Sequence, residues 1–208
     1  MSTPTKVDNI FFNFPGAGNG AIVELAANQI LKSDELDVAA LFSAQLFVDF
    51  APTSVSAITV APELSIQSTP FPTGNAGWRP IITPFIFGTV AGNSSAVDGT
   101  EAAGSTLIEE ATTTGLANGQ LVFFKNATLQ NSEWSWVQSV SAGVSFTLID
   151  GITNAQTGST WFNLGQYFRP IVDLSVVKRL RAVVNNNRDA TARTCALRVG
   201  MIQLVSVG

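Results

Sequence analysis

Leu41-Phe42-Ser43-Ala44-Gln45-Leu46-Phe47-Val48-Asp49-Phe50 is the stretch that decides the fold. Phe42, Ala44, Leu46, Val48 and Phe50 recur every second residue, with Ser43, Gln45 and Asp49 between them. A period of two places the first set on one face of a strand, so the stretch reads as a half-buried β-strand ended by Pro52. The same period returns late in the chain. Cys195, Leu197, Val199 and Met201 share one face of a run over 191–207, with Ala196, Arg198 and Gly200 on the other. Val172, Leu174, Val176, Leu180, Ala182 and Val184 hold the even positions of 171–185, and 185–189, Asn-Asn-Asn-Arg-Asp, reads as the turn of a C-terminal hairpin.

Beyond Pro52, Ile58, Val60, Leu64 and Ile66 keep the spacing around Pro62, which suggests an edge strand or a bulge. Residues 9–14, Asn-Ile-Phe-Phe-Asn-Phe, form an extended aromatic segment closed by the Pro- and Gly-rich loop 15–20. That loop lacks the Lys-Ser/Thr ending of a phosphate loop. Residues 21–31 fit a short helix or a strand equally well. Residues 81–90 read as a strand buried on both faces, and the small, polar 91–105 as a flexible linker.

From 107 to 161 the texture changes to short strands about ten residues apart with turn signals between them, the pattern of a small barrel. Gly119-Gln120-Leu121-Val122-Phe123, Val137-Gln138-Ser139-Val140 and Phe146-Thr147-Leu148-Ile149-Asp150-Gly151 follow in order. Together they resemble the SH3-like β-barrel modules inserted in phage virion proteins and in some secreted proteins. The expected fold is therefore all-β: a jelly-roll-like β-sandwich from 1–106 and 162–208, interrupted by a small β-barrel over 107–161.

Composition narrows the chemistry. The chain has 208 residues, 46% hydrophobic and only 12% charged, with fourteen Phe, four Trp and one Tyr. A surface so poor in charge suits a protein covered by partners, a composition that stable secreted monomers can share. With no histidine, the usual general base and commonest metal ligand are missing. Cys195, the one cysteine, reads as a small buried hydrophobe. Residues 1–6 show no secretory h-region, and the apolar stretch 36–50 is interrupted by Asp37 and Asp49, so no membrane span is expected.

Glu101, Glu109, Glu110 and Glu133 could supply a glycosidase pair, but they lie in no motif and read as solvated charges. Asp34-Glu35-x-Asp37 lacks the spacing of a calcium loop and reads as an exposed turn. Trp134 and Trp136 share a strand face; exposed they would stack on sugars, and buried they would fill the barrel core, which is the expected state. Lys178, Arg179, Arg181, Arg188, Arg193 and Arg198 crowd the C-terminal region without aromatic neighbours, in a chain of pI about 4.7. Nucleic-acid binding is therefore not expected. Residues 1–110 carry three Lys or Arg and eleven Asp or Glu, against eight and four in 111–208, a polarity suited to acid–base contacts within or between subunits.

No catalytic, cofactor or metal residue is assigned. The overall pattern resembles virion structural proteins of tailed bacteriophages. That resemblance implies a non-enzymatic protein, made in the host cytoplasm, that assembles on the particle as a capsid decoration or cement protein, with head-fibre, tail and baseplate roles open. Its expected partners are itself, as a homotrimer, and a major capsid protein. The apolar Ile10, Phe11, Phe12 and Phe14 are the surface such a trimer would cover. The alternative is a carbohydrate-binding or adhesion module on Trp134 and Trp136, and beyond that a carboxylate-dependent glycan hydrolase.

Overall fold

Period-two patterning organises the chain into antiparallel strands in a computed structural model, which describes residues 6–15, 23–26, 29–53, 63–70, 77–87, 93–110, 112–186 and 195–204. First come β1 (Lys6–Phe11), β2 (Val23–Leu25), β3 (Ile30–Lys32), β4 (Leu36–Asp37), β5 (Ser43–Pro52), β6 (Glu63–Pro70), β7 (Arg79–Pro80) and β8 (Phe85–Ile86). Then follow β9 (Ser94–Ala96), β10 (Thr100–Glu101), β11 (Leu107–Glu109), β12 (Leu121–Lys125), β13 (Glu133–Ser141), β14 (Ser145–Leu148) and β15 (Gln156–Thr157). The last are β16 (Thr160–Phe168), β17 (Ile171–Asp173), β18 (Val177–Asn185) and β19 (Cys195–Leu204).

Two sheets face each other. One runs β1-β19-β5-β16, with β17 also paired to β5. The other runs from β3 and β4 through β18 and β6 to β7 and β8. Setting aside β9–β15 and taking β1 with β2 (both pair with β19), β3 with β4, β7 with β8 and β16 with β17 as single positions leaves eight positions along the chain. Their order is first-eighth-third-sixth in one sheet and second-seventh-fourth-fifth in the other. That order is a jelly roll, and the all-β sandwich expected from the patterning is the fold observed.

The core between the sheets is the alternating set itself. Leu46 pairs with Met201, Val48 with Val199 and Phe50 with Leu197, all buried. Across from them, Leu64 pairs with Val184 and Ile66 with Ala182. Phe50 stacks on Phe87 at 4.0 Å between ring centroids, and burying such a ring is worth about 2 kcal/mol. Cys195 is buried here as a packing residue.

Several local expectations are corrected. β5 is half-buried only at its start: Phe47, Asp49 and Ala51, on its second face, are buried too. Phe42 lies before the strand and is 76% exposed. β6 is flanked by β18 on one side and by β7 and β8 on the other, so it is no edge, while Pro62 lies outside the described residues. Within 81–87 only β8 is strand, and Ile86 on it is exposed. Residues 93–101 are not a plain linker, because β9 pairs with β16 and β10 with β15.

The segment 171–185 is two strands in different sheets, turned at Ser175–Val176, and β18 and β19 do not form a hairpin. Both strands are apolar on one face, and in opposite sheets those faces meet across the shared core. The ambiguous 21–31 supplies β2 and β3. Phe12 and Phe14 are buried in this chain's own core and Ile10 packs against it, while Phe11 is half-buried against Phe47, so most of this N-terminal apolar set is covered within the chain itself.

Between β8 and β17 the chain adds a second roll, β9-β16-β12-β13-β14-β11, around Val97, Ile108, Val122, Phe124, Val137, Phe146, Leu148, Ile152 and Trp161. β16 serves both rolls: Phe162 pairs with Phe123 of β12, and Tyr167 with Asp49 of β5. On the other face of the added roll, Leu121, Phe123, Trp134 and Phe162 cluster with Ala51 and Ala196 of the sandwich.

Candidate functional site

Three surfaces are built from these elements. The first lies on the outer face of β5 and β19, where the register sets Tyr167, Asp49 and Arg198 side by side. Asp49 is fully buried between Val48 and Phe50, so its charge must be matched locally. Arg198 donates to its Oδ2 from Nε at 2.9 Å and Nη2 at 2.6 Å, and Arg169 Nη2 donates to Oδ1. Arg169 also donates to the Val48 carbonyl and lies 5.7 Å from the Phe47 ring centroid and 5.6 Å from that of Tyr167. Tyr167 is half-exposed and meets Trp136 edge-on at 5.0 Å.

The second surface is an acidic seam. The end strands of the added roll, β9 and β11, do not pair with each other among the described residues. Asp98, Glu101, Glu109 and Glu110 line the clefts left there, with Leu107, Val144 and the 143–145 turn. Glu101 accepts from the Glu109 backbone N–H at 3.0 Å. Glu110 is 2% exposed and neither of its oxygens has a hydrogen-bond partner. Burial pushes its pKa up to about 7, with Asp98 and Glu101 adding repulsion. The Trp161 indole and the Asp98 backbone draw it partly back.

The third is an apolar edge. Among the described strands β17 pairs only with β5. Along it Ile171 is 68% exposed, Val176 in the following turn 66%, and Phe42, whose carbonyl accepts from the Leu174 N–H, 76%. Val176 also lines a cleft of about 520 Å³ with Ser68, Gly77, Arg79, Ile81, Asp173 and Val177.

The residues singled out from sequence are scattered over this framework. Glu133 is not merely solvated: its carboxylate accepts from the backbone N–H groups of Thr153 and Asn154 and from Gln156 Nε2. Glu110 is buried, and only Glu109 stands exposed as a solvated charge should. Asp34, Glu35 and Asp37 are exposed, with Glu35 paired to Arg179 at 2.9 Å. No group of three His, Cys, Asp or Glu converges as metal ligands among the described residues. Trp134 is buried and Trp136 half-buried, but neither fills the core of the added roll; both pack on the cluster that joins it to the sandwich.

Arg181 does have an aromatic neighbour: it donates twice to Gln67 Oε1 and stacks over Trp78 at 4.1 Å. Arg188 and Arg193 lie outside the described residues. Sequence reading missed Asp49, whose signal was a carboxylate with apolar neighbours on both sides in a strand.

No family model matches the chain, and no curated protein matches it in sequence. Among solved structures, the VP2 subviral particle of infectious bursal disease virus aligns at 8% identity over 99% of this chain and 81% of that one, with a TM-score of 0.21. A structure of the Gt strain of the same virus aligns at 9% identity over 99% and 81%, with a TM-score of 0.20. VP17, a capsid protein of bacteriophage P23-77, aligns at 11% identity over 97% of this chain and all of that one, with a TM-score of 0.17. Likeness at those scores carries no argument, and function is read from the residues. No helix among the described residues is long and apolar enough to cross a membrane.

Proposed function

We propose that the chain is a non-enzymatic structural protein that assembles on a viral particle, with capsid decoration or cement on a tailed bacteriophage as the finer reading. The apolar edge of Phe42, Ile171 and Val176 carries the proposal. Three large exposed apolar side chains, one on β17, which pairs only with β5 among the described strands, and two beside it, are a liability for a free monomer, and a closed set of copies removes it. The low charge density acts in the same direction. A threefold arrangement suits the local threefold positions of an icosahedral shell and lets each weak contact act three times. The 107–161 segment is proposed to be a distinct module projecting from the sandwich.

Light scattering on the purified chain tests this, with a trimer expected at micromolar concentration. Phe42→Ser combined with Ile171→Thr is expected to give monomers whose melting temperature changes by only a few degrees, since both side chains face solvent in the single chain. A wild-type monomer would overturn the proposal.

A carbohydrate-binding role is the second reading, favoured by one observation: Trp136 and the exposed Tyr167 meet beside Arg169, an aromatic and cationic platform. A glycan array separates the two readings, because assembly alone predicts no saturable sugar binding.

A further inference from the structure

We infer that the place where the two rolls meet holds a binding site for a sugar acid, a pyranose that carries a carboxylate. The inference rests on the carbohydrate reading and assigns the class of its ligand. β16 passes from the added roll into the sandwich, which sets Tyr167 opposite Asp49 of β5 and edge-on to Trp136 of β13 at 5.0 Å. Arg169 lies 5.6 Å from the Tyr167 ring centroid, and Arg198 reaches the same Asp49 from β19. Two aromatic rings and two guanidinium groups thus adjoin one another.

The charges select an anion. Two guanidinium groups face the single carboxylate of Asp49, which leaves one positive charge in excess. Arg169 commits both terminal nitrogens within the chain, to Asp49 and to the carbonyls of Val48 and Phe168. Arg198 commits only Nε and Nη2, both to Asp49 Oδ2. Its Nη1, with two of the five N–H donors of a guanidinium, has no partner among the described residues. Its side chain is partly open to water, so a ligand carboxylate can accept from Nη1 in a charge-assisted bond while Asp49 keeps its own contacts.

The rings select a sugar over a plain carboxylate. Tyr167 is half-exposed, and neither its hydroxyl nor the Trp136 indole N–H has a hydrogen-bond partner among the described residues. An aromatic face suits the C–H face of a pyranose, and the two polar tips suit its hydroxyl groups. A sugar acid carries its carboxylate directly on the ring, so the ring and the charge fall on neighbouring groups, as Tyr167 and Arg169 are neighbours. A nucleic acid would need a basic surface, and this chain carries a net charge of -4.

Two-dimensional 1H–15N NMR on the full chain, with the Trp136 indole N–H as reporter, tests the site. The probes are methyl β-D-glucuronide and methyl α-N-acetylneuraminate, each beside its methyl ester, with sodium acetate as the plain carboxylate. A saturable shift with at least one of the acids is expected, and the ester should bind at least about tenfold more weakly, the loss of one charge-assisted contact. Tyr167→Ala, which removes a half-exposed ring, should weaken binding by a similar factor. Arg198→Lys keeps a positive charge against Asp49 but loses the second terminal nitrogen, and should do the same; if it fails to fold, Tyr167→Ala and the esters decide. Equal binding of acid and ester, an equal response to acetate, or undiminished binding by Tyr167→Ala would each overturn the assignment. If neither acid binds while a neutral glycan is retained on the array, the sugar-acid assignment fails alone; if the array is also blank, the carbohydrate reading fails with it.

Discussion

The ring of Phe47 occupies the place where Gly200 would carry a side chain. The two residues pair across β5 and β19, and a Cβ built on Gly200 would lie 2.7 Å from Phe47 Cε1 and 2.9 Å from the Ile10 carbonyl oxygen. Phe11, opposite Gly200 on β1, meets the same ring edge-on at 5.5 Å. Gly200→Ala should therefore destabilise the protein by about 1–3 kcal/mol, the usual cost of overpacking. Combining it with Phe47→Leu should recover part of that loss, and urea denaturation of the four proteins in the cycle reads the coupling. Additive effects would show that the ring moves aside freely.

Asp49 is buried while its two arginines each keep about a third of their surface in water. Removing the carboxylate strands two cations that can still be solvated, so Asp49→Ala should cost about 3 kcal/mol, the low end for a broken buried pair. Removing both arginines while keeping Asp49 should cost more, since the buried anion would then be unmatched. Thermal melts of Asp49→Ala and of the Arg169→Ala, Arg198→Ala double variant give the comparison.

Glu110 sets a pH dependence. Its pKa is about 7 in the folded chain against an ordinary 4.5, so between those values the folded state holds a proton that the unfolded state has lost. Stability from this group is then complete below pH 4.5, falls as pH rises to about 7, and is flat beyond. Glu110→Gln should raise the melting temperature by a few degrees at pH 8 and leave it little changed at pH 4. A gain that is the same at both pH values would show that ionisation of Glu110 is not its cause.

Excising 107–161 and bridging the ends with a short Gly-Ser linker should leave a folded β protein, because the jelly-roll core draws none of its buried residues from that segment. Its melting temperature should drop, since Leu121, Phe123 and Trp134 no longer cover Phe162, Ala51 and Ala196. Circular dichroism reads both outcomes, and a chain that fails to fold would mean that the two rolls share one core.

The primary sequence by itself determined the all-β class and most of the core. The period-two sets on β5, β6, β18 and β19 form the core between the sheets, because alternation along a strand gives it one continuous apolar face whichever neighbour it meets. The tertiary structure alone decided that β18 and β19 belong to opposite sheets, since two strands with equally apolar faces can pair or oppose, and only the rest of the sheet selects between them. It also decided the fate of the charges. Asp49 in a strand pattern reads as a solvent-facing residue until Arg169 and Arg198, more than a hundred positions away, are brought against it. Glu109 and Glu110 look alike in sequence, and the pleat of the strand leaves one in water and turns the other inward. Long-range pairing is not encoded in any local window, so neither the acidic seam nor the exposed edge of Phe42 and Ile171 was legible before the strands were placed.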